Sequence, residues 1–96
     1  MPQHDEFAAT FKALSDPLRL RLLGMLPGED GEDSLGVCEL ARKVGISQPC
    51  LSHHLSILKG AGLVDCQKEG CSAFYFVNRG RVNRELDRFR TWMEQQ

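Results

Sequence analysis

The sequence predicts a mainly α-helical domain of the α+β class, with one small β-hairpin inserted before the last helix. Apolar residues recur at helical spacing through most of the first sixty positions and again after position 78. Between them, residues 63–77 hold two short runs of strand-forming side chains around a glycine. The length of 96 residues fits one domain, residues 1–96, and a domain this small is often stabilised by a second copy.

The first two helices are predicted from their apolar patterns and from the junction between them. Residues 5–14 are predicted as the first helix, because Phe7, Phe11 and Leu14 repeat at i, i+4 and i+7. A capping residue followed by Pro17 is typical of a helix start. The second helix carries too many leucines for one narrow stripe, so we expect it to lie in the core.

The next two helices form a recognisable pair. A short helix is predicted over about residues 38–44 and ends at Gly45, which adopts positive φ without steric cost. Ser47 then caps a longer helix that runs to about residue 60. A short helix, a tight turn and a longer helix make the helix-turn-helix pattern, which we place at about residues 38–60.

The remainder of the chain is predicted as a hairpin followed by a helix. The hairpin, residues 63–77, would be the wing of a winged helix-turn-helix, with Glu69 and Gly70 as its two-residue turn. The last helix is predicted at about residues 80–94. Its apolar residues fall at 0, +4, +7 and +11, a spacing typical of a seam against a partner helix. They are Val82, Leu86, Phe89 and Met93.

The charge of the chain is distributed unevenly, although its net value is only −1. Residues 1–33 carry three basic and seven acidic side chains, whereas residues 34–84 carry seven basic and three acidic ones. The basic part contains the helix-turn-helix and the wing, as expected where a protein faces a polyanion. Residues 27–34, with four acids, are predicted as a solvated loop rather than a calcium site, which needs about six to eight oxygen ligands.

Two further classes of protein are excluded by simple features of the sequence. No apolar run approaches the ~18 residues that a membrane span requires. The first residues, MPQHDEF, contain neither the basic nor the apolar part of a secretory signal. We therefore expect a cytoplasmic protein that does not associate with a membrane.

The fourth helix has an outward face suited to reading DNA. Its leucines at positions 51, 55 and 58 define the buried side, so polar side chains point away from it. Glutamine pairs with adenine in the major groove, and serine and lysine contact phosphates. A solvated face without a ligand is the alternative. His54 lies nearer the buried side of this helix, so a structural role is favoured for it. The predicted DNA-binding residues are Ser47, Gln48, Ser52, His53, His54, Lys59 and, near the hairpin tip, Lys68.

Three segments carry a resemblance to a known family. The stretches ALSDPLRLRLL, VCELARKVGISQPCLSHHLSILKGAGLV and KEGCSAFYFV resemble the ArsR/SmtB family of metal-responsive repressors over about residues 7–78. The resemblance implies a homodimer that binds an imperfect inverted repeat of DNA and leaves it when an inducer binds. It also implies an interface between the first and last helices, which the two apolar stripes fit. These stripes comprise Phe7, Phe11, Leu14, Val82, Leu86, Phe89 and Met93.

The inducer sites of that family are only partly matched. Arsenic-sensing members often carry CVCxL at the third helix, where this chain has GVCEL and keeps only the second cysteine, Cys38. Zinc-sensing members use aspartate and histidine pairs on the last helix, and no histidine occurs in that helix here. Plain zinc sensing is therefore not expected.

Four cysteines are candidates for sensing: Cys38, Cys50, Cys66 and Cys71. Thiolates select soft ions such as As(III), Cu(I) or Zn(II). With the predicted turn, Cys66 and Cys71 would be diagonal neighbours on one face of the hairpin, a separation easier for a metal ion to bridge than for a disulfide. Cys38 lies near the start of a helix, which favours the thiolate, so it is the best single candidate for a reactive thiol.

The predicted function is a DNA-binding repressor, not an enzyme, that a thiophilic metal(loid) such as arsenite releases from duplex DNA. No cofactor is expected to be needed for folding. The alternatives are a redox-sensing or reactive-sulfur-sensing repressor of the same fold, a thiol-based metallochaperone or enzyme, and a winged helix used only for protein contacts. Three absences argue against an enzyme: the sequence has no CxxC motif, no nucleophile–base set and no glycine-rich phosphate loop.

Overall fold

The computed structural model describes residues 3–29 and 36–96, so residues 30–34 of the acidic loop predicted at 27–34 lie outside the described range. Five helices and a two-stranded antiparallel hairpin follow one another in the predicted order, so the predicted fold class is confirmed. The helices and strands are α1 (Gln3–Leu14), α2 (Pro17–Met25), α3 (Val37–Val44), α4 (Gln48–Gly60), β1 (Val64–Glu69), β2 (Ser72–Val77) and α5 (Arg79–Glu94). No helix in the described part of the chain is long and apolar enough to span a membrane.

The core is built chiefly from leucines of the central helices. Four of these leucines have no exposed surface, Leu22, Leu51, Leu55 and Leu58, and neither has Leu63, which lies between α4 and β1. The short helix α3 adds its own buried side to the same cluster, and the strands contribute one valine each. Each leucine fully withdrawn from water contributes about 1.5–3 kcal/mol of hydrophobic free energy, so this cluster dominates the stability of a small domain.

The junction between α1 and α2 is held by a carboxylate cap. Asp16 Oδ1 accepts hydrogen bonds from the backbone N–H groups of Leu18, at 2.8 Å, and Arg19, at 3.3 Å. Desolvation acts to raise the pKa of the Asp16 carboxyl. The two N–H groups and the charge of Arg19 outweigh it, so the pKa lies below its ordinary value. Pro17 occupies the first helical position, where its missing N–H costs nothing.

The C-terminus of α4 is closed by a Schellman motif centred on Gly62. The backbone N–H of Leu63 donates to the Leu58 carbonyl at 3.0 Å, and that of Gly62 donates to the Lys59 carbonyl at 2.9 Å. Gly62 has φ +78°, and a Cβ there would lie 2.8 Å from the guanidinium carbon of Arg81. Glycine is therefore required by the backbone conformation, and α5 approaches the end of α4 closely at this point.

The hairpin has a different turn from the one predicted. Its strands pair Cys66 with Tyr75 and Glu69 with Ser72, so the two turn residues are Gly70 and Cys71 rather than Glu69 and Gly70. Gly70 has φ +61°, and no residue other than glycine has positive φ in the described chain. Positive φ at only the first central position is the type II′ pattern, whose twist suits a hairpin. The predicted register was wrong because the glycine was assigned to the second central position.

The hairpin is tied to the helices by backbone hydrogen bonds. Gly36, just before α3, forms an isolated antiparallel bridge with Phe74 of β2. The backbone N–H of Val77 donates to the Pro27 carbonyl at 2.8 Å, and that of Asn78 donates to the Leu63 carbonyl at 2.9 Å. The wing therefore has a fixed base, formed where α2 ends, α3 begins and β1 starts.

Helices α1 and α5 pack through an aromatic cluster. The ring of Phe89 lies 5.5 Å from that of Phe7 and 4.7 Å from that of Phe11, both in edge-to-face geometry. Phe7 also contacts Trp92, with ring centres 5.6 Å apart, and it is only 3% exposed. The stripe predicted as an intersubunit seam is therefore used in part within the chain.

We expect Leu22→Ala to lower the free energy of unfolding by about 2–5 kcal/mol, because it opens a cavity at a site without solvent contact. The matched control is Leu20→Ala on the same helix. Leu20 is 53% exposed, so its truncation should change the stability by no more than about 0.5 kcal/mol. Urea denaturation at one fixed protein concentration measures both values. Equal losses in the two variants would contradict this description of the core.

Candidate nucleic-acid interface

The helix-turn-helix is formed by α3, a three-residue connection and α4. Gly45 ends α3 with φ +83°, and its backbone N–H donates to the Ala41 carbonyl at 2.8 Å. Ser47 begins α4 by accepting a 3.2 Å hydrogen bond from the backbone N–H of Cys50. Because Pro49 has no N–H, the Gln48 N–H is the donor of this first turn that no described residue engages. The first turn of α4 therefore offers an anion one backbone donor beside the Ser47 hydroxyl.

The predicted reading face of α4 points into solvent. Leu51, Leu55 and Leu58 are buried on one side, as the sequence predicted. The predicted DNA-binding residues on the other side are exposed, as is the lysine near the hairpin tip. They are Ser47, Gln48, Ser52, His53, Lys59 and Lys68. Lys68 pairs with Ala73 in the hairpin, two positions before the turn. The arrangement presents hydrogen-bonding groups on a helix and a cation on an adjacent wing.

His54 differs from the other predicted reading residues because it is half-buried and bonded within the chain. Its Nδ1 lies 3.2 Å from Nη1 of Arg19 on α2. A guanidinium only donates hydrogen bonds, so Nδ1 must accept and the ring proton must reside on Nε2. The His53 ring lies beside it in edge-to-face geometry, 5.7 Å away. The structure thus separates the two neighbouring histidines into an exposed one and an anchored one.

Arg19 is the residue at this site that sequence reasoning missed. Its side chain is 11% exposed, and its Nε and Nη2 donate to the carbonyls of Ala13 at 2.6 Å and Lys12 at 3.0 Å. One signal was available in the sequence: a cation in the first turn of a helix faces the positive end of the helix dipole. The charge of Arg19 is therefore stabilised by a different helix, through carbonyl groups at the C-terminus of α1.

All four cysteines carry free thiols. Cys38 on α3 is exposed, and its Sγ accepts a hydrogen bond from the side-chain amide of Gln48. Cys50 is exposed in the first turn of α4, and Cys71 is exposed in the hairpin turn. Within residues 3–29 and 36–96, no three His, Cys, Asp or Glu side chains gather as a metal site.

The observed register also overturns the predicted pairing of Cys66 with Cys71. Cys66 is half-buried opposite Tyr75, and Tyr75 is four positions from Cys71. At about 3.3 Å per residue, this places the two thiols on the order of 13 Å apart along the hairpin. Neither a disulfide nor a single metal ion spans a separation of that size. Partial burial, together with the neighbouring Cys66 thiol, raises the pKa of the Tyr75 hydroxyl.

Comparisons with known proteins agree with this geometry. A family model described as a bacterial regulatory protein of the arsR family matches residues 16–65. The chain is 43% identical over 82 residues to an HTH-type transcriptional regulator of Methanocaldococcus jannaschii, covering 85% of this chain and 89% of that protein. It is 36% identical over 82 residues to the transcriptional repressor SmtB homolog of Synechocystis sp., covering 85% of this chain and 59% of that protein.

A solved structure shares the same fold. Reduced HlyU from Vibrio cholerae superposes with a TM-score of 0.66 and 33% sequence identity, covering 78% of this chain and 75% of that one. The similarity therefore extends over most of both chains, whereas the family model matches residues 16–65.

The hairpin register can be tested by mild oxidation. We expect no disulfide between Cys66 and Cys71, because their positions are too far apart. In contrast, Tyr75→Cys should form an intramolecular disulfide with Cys66, since directly opposite strand residues have Cα atoms about 4.5–5.5 Å apart, within disulfide range. Peptide mapping by mass spectrometry identifies both linkages. A Cys66–Cys71 disulfide in the unsubstituted monomer would show that the register is not the one described.

Proposed function

Because the chain belongs to the ArsR/SmtB family of DNA-binding transcriptional regulators, we propose that it is a homodimeric repressor that leaves its DNA site when an inducer reacts with its cysteines. We place its action in the cytoplasm. The single observation that carries the proposal is the exposed polar face of α4 beside a hairpin that bears a lysine. Proteins of this family are regulators, so the prediction that the chain is not an enzyme is confirmed and the enzyme alternative is set aside.

DNA reading is assigned to the outward side of α4. Gln48 and His53 are exposed and carry the donors and acceptors that base edges require, and a glutamine amide pairs bidentately with adenine. Ser47 and Ser52 are suited to phosphate or base contacts. Two exposed lysines, Lys59 at the end of α4 and Lys68 on the wing, supply the charge that makes binding sensitive to salt.

The homodimer is supported by an apolar surface on α1 and α5. Phe11 is 37% exposed, Leu86 41% and Met93 51%, although each is a large apolar side chain. A second copy would cover this strip in a symmetric interface and would present two reading helices to an imperfect inverted repeat of DNA. Of the other predicted interface residues, Leu14 and Val82 pack against the core of their own chain, and Phe89 joins the aromatic cluster.

The link between an inducer and DNA is assigned to Cys38 and Gln48. The Gln48 amide donates to the Cys38 sulfur, so a ligand or modification on that sulfur competes directly with a DNA-reading side chain. Such an inducer binds the DNA-free form more tightly, which is the condition for releasing DNA. Arsenite is the proposed inducer, because As(III) favours thiolates. Cys50, two residues after Gln48, is the next thiol along the chain.

A second inducer class, oxidants or reactive sulfur, is favoured by the spacing of the thiols. As(III) is held best by several thiolates, whereas oxidation or persulfidation of Cys38 needs only one thiol. In the described part of a single chain the cysteines do not form a three-ligand group. Both inducer classes act on the same sulfur, so they share the relay through Gln48 and differ only in the chemistry at Cys38.

DNA reading is tested by fluorescence anisotropy on a duplex from the chain's own upstream region and on a random duplex. Gln48→Ala should cost about 1–3 kcal/mol on the specific duplex and nothing on the random one. Lys68→Ala should weaken both equally and reduce the salt slope by about one phosphate contact per chain. Gln95→Ala, an exposed glutamine after α5, is the control and should bind as the unsubstituted protein does. If the unsubstituted protein binds neither duplex at low salt, the repressor proposal is wrong.

The inducer is tested on the protein–DNA complex with arsenite and, separately, with hydrogen peroxide. We expect the unsubstituted protein to release DNA and Cys38→Ser to bind DNA normally but resist release, because the serine oxygen still accepts from Gln48 and has little affinity for As(III). Cys71→Ser, in the hairpin turn, is the matched control and should keep the response. Release by arsenite alone identifies a metal(loid) sensor, and release by peroxide alone identifies a redox sensor. A response that survives replacement of all four cysteines would refute the thiol mechanism.

A further inference from the structure

We infer that Arg19 is a positioning residue for DNA reading, and that it acts by holding α4 through His54. The inference rests on the proposed DNA-binding function, which it deepens by naming the contact that orients the reading helix. In this assignment His54 serves as an acceptor for Arg19, which is the kind of structural role that the sequence favoured for it, rather than as a side chain that reads bases.

The first step is the unusual setting of the Arg19 charge. Its side chain is almost completely buried, at 11% exposure, between α1, α2 and α4. Burial of a guanidinium is unfavourable unless its N–H groups are matched by acceptors. Two of these acceptors are the carbonyls of Lys12 and Ala13 in the last turn of α1, and the Lys12 carbonyl also accepts from the backbone N–H and the hydroxyl of Ser15. The negative end of the α1 dipole and the Asp16 carboxylate, with Oδ2 4.0 Å from Nη1, stabilise the charge.

The second step concerns Nη1, the guanidinium nitrogen of Arg19 that does not donate to α1. Nη1 of Arg19 reaches Nδ1 of His54, 3.2 Å away and 35 positions later in the sequence. One planar side chain therefore joins the end of α1, the start of α2 and the middle of α4. A lysine in this position has one ammonium nitrogen and lacks the planar fork that serves three separated acceptors.

The third step concerns what fixes the rotation of α4. Its buried contacts are the side chains of Leu51, Leu55 and Leu58, and hydrophobic packing of this kind is not directional. Burial of this side sets the general orientation of α4, and the Arg19–His54 hydrogen bond, which has a preferred direction, narrows the rotation about the α4 axis further. That rotation determines where Gln48 and His53 point. Contacts to base edges depend on the distance and direction of each donor and acceptor, so loss of the anchor should weaken DNA binding even where the helix remains folded.

The test is a double-mutant cycle read by DNA affinity at one fixed pH. Arg19→Lys keeps the charge and removes the fork, and His54→Phe keeps a ring and removes the acceptor. Each single variant should weaken binding about tenfold, and the double variant should be no weaker than the single ones, because both remove the same contact. Losses that multiply in the double variant would overturn the inference, since they would mean that His54 contacts DNA independently of Arg19.

His54→Asn distinguishes the two nitrogens of the ring. The asparagine Oδ1 takes the place of Nδ1 and accepts from Arg19, but nothing replaces Nε2, so we expect DNA binding within about threefold of the unsubstituted protein. Binding as weak as that of His54→Phe would show that Nε2 is the functional atom and would overturn the inference. Thermal unfolding of every variant separates a shift of α4 from a loss of folded protein.

Nuclear magnetic resonance tests the contact without DNA and so keeps the two proposals apart. Long-range proton–nitrogen spectra of the free protein should show His54 as the Nε2–H tautomer with Nδ1 accepting a hydrogen bond. The Nδ1 signal should move in Arg19→Lys while that of His53 stays. An Nδ1–H tautomer at His54 would overturn the inference whatever the DNA result. If the unsubstituted protein binds no DNA while this signature is present, it is the proposed function that fails, and the contact then holds α4 for another purpose.

Discussion

Burial of the leucine side of α4 is the constraint on which the rest of the structure depends. Leu51, Leu55 and Leu58 have no solvent contact, and in a chain of 96 residues few other groups can supply comparable hydrophobic free energy. Once this side faces inward, helical geometry leaves the polar side chains of α4 in solvent. The same burial brings α2, α3 and the base of the hairpin against α4. The stability of the domain and the exposed polar face proposed to read DNA are therefore two consequences of one amphipathic helix.

Directional contacts at the helix ends convert this apolar packing into a defined arrangement. The Schellman motif at Gly62 ends α4 beside Arg81 of α5, and Arg81 lies 3.9 Å from the buried carboxylate of Glu85. Arg88 contacts the same carboxylate at 3.2 Å. At the other side of α4, Arg19 joins the helix to the end of α1. The helices proposed to form the dimer, α1 and α5, thus each meet α4 through an arginine, which would connect the proposed dimer surface to the proposed DNA surface.

Most of the secondary structure and the outward face of α4 could be predicted, because each depends on the local spacing of apolar residues and on capping groups. The hairpin turn could not be predicted. Both choices of turn residues place Gly70 in the turn, and only the twist of the paired strands favours Gly70 at the first central position. The sequence also could not predict which residues of the α1 and α5 apolar stripes pack within the chain and which stay exposed. Phe7 and Phe11 have the same spacing signal, yet one is buried within the chain and the other is 37% exposed. That difference depends on how α1 and α5 cross, which periodicity does not specify.

For the thiols, the contact that a cysteine makes in the fold is more informative about its role than the number of cysteines in the sequence. Four cysteines favoured a metal site held by several of them, but the fold separates Cys66 from Cys71 and leaves Cys38 beside Gln48. The significant feature of Cys38 is therefore the side chain that it touches rather than the number of other thiols. Gln48 lies at the start of α4, so in the proposed mechanism chemistry at this sulfur acts on a DNA-reading residue without any change in the leucine core. In the proposed mechanism, a small displacement at one helix terminus is enough for so small a domain to respond to an inducer while remaining folded.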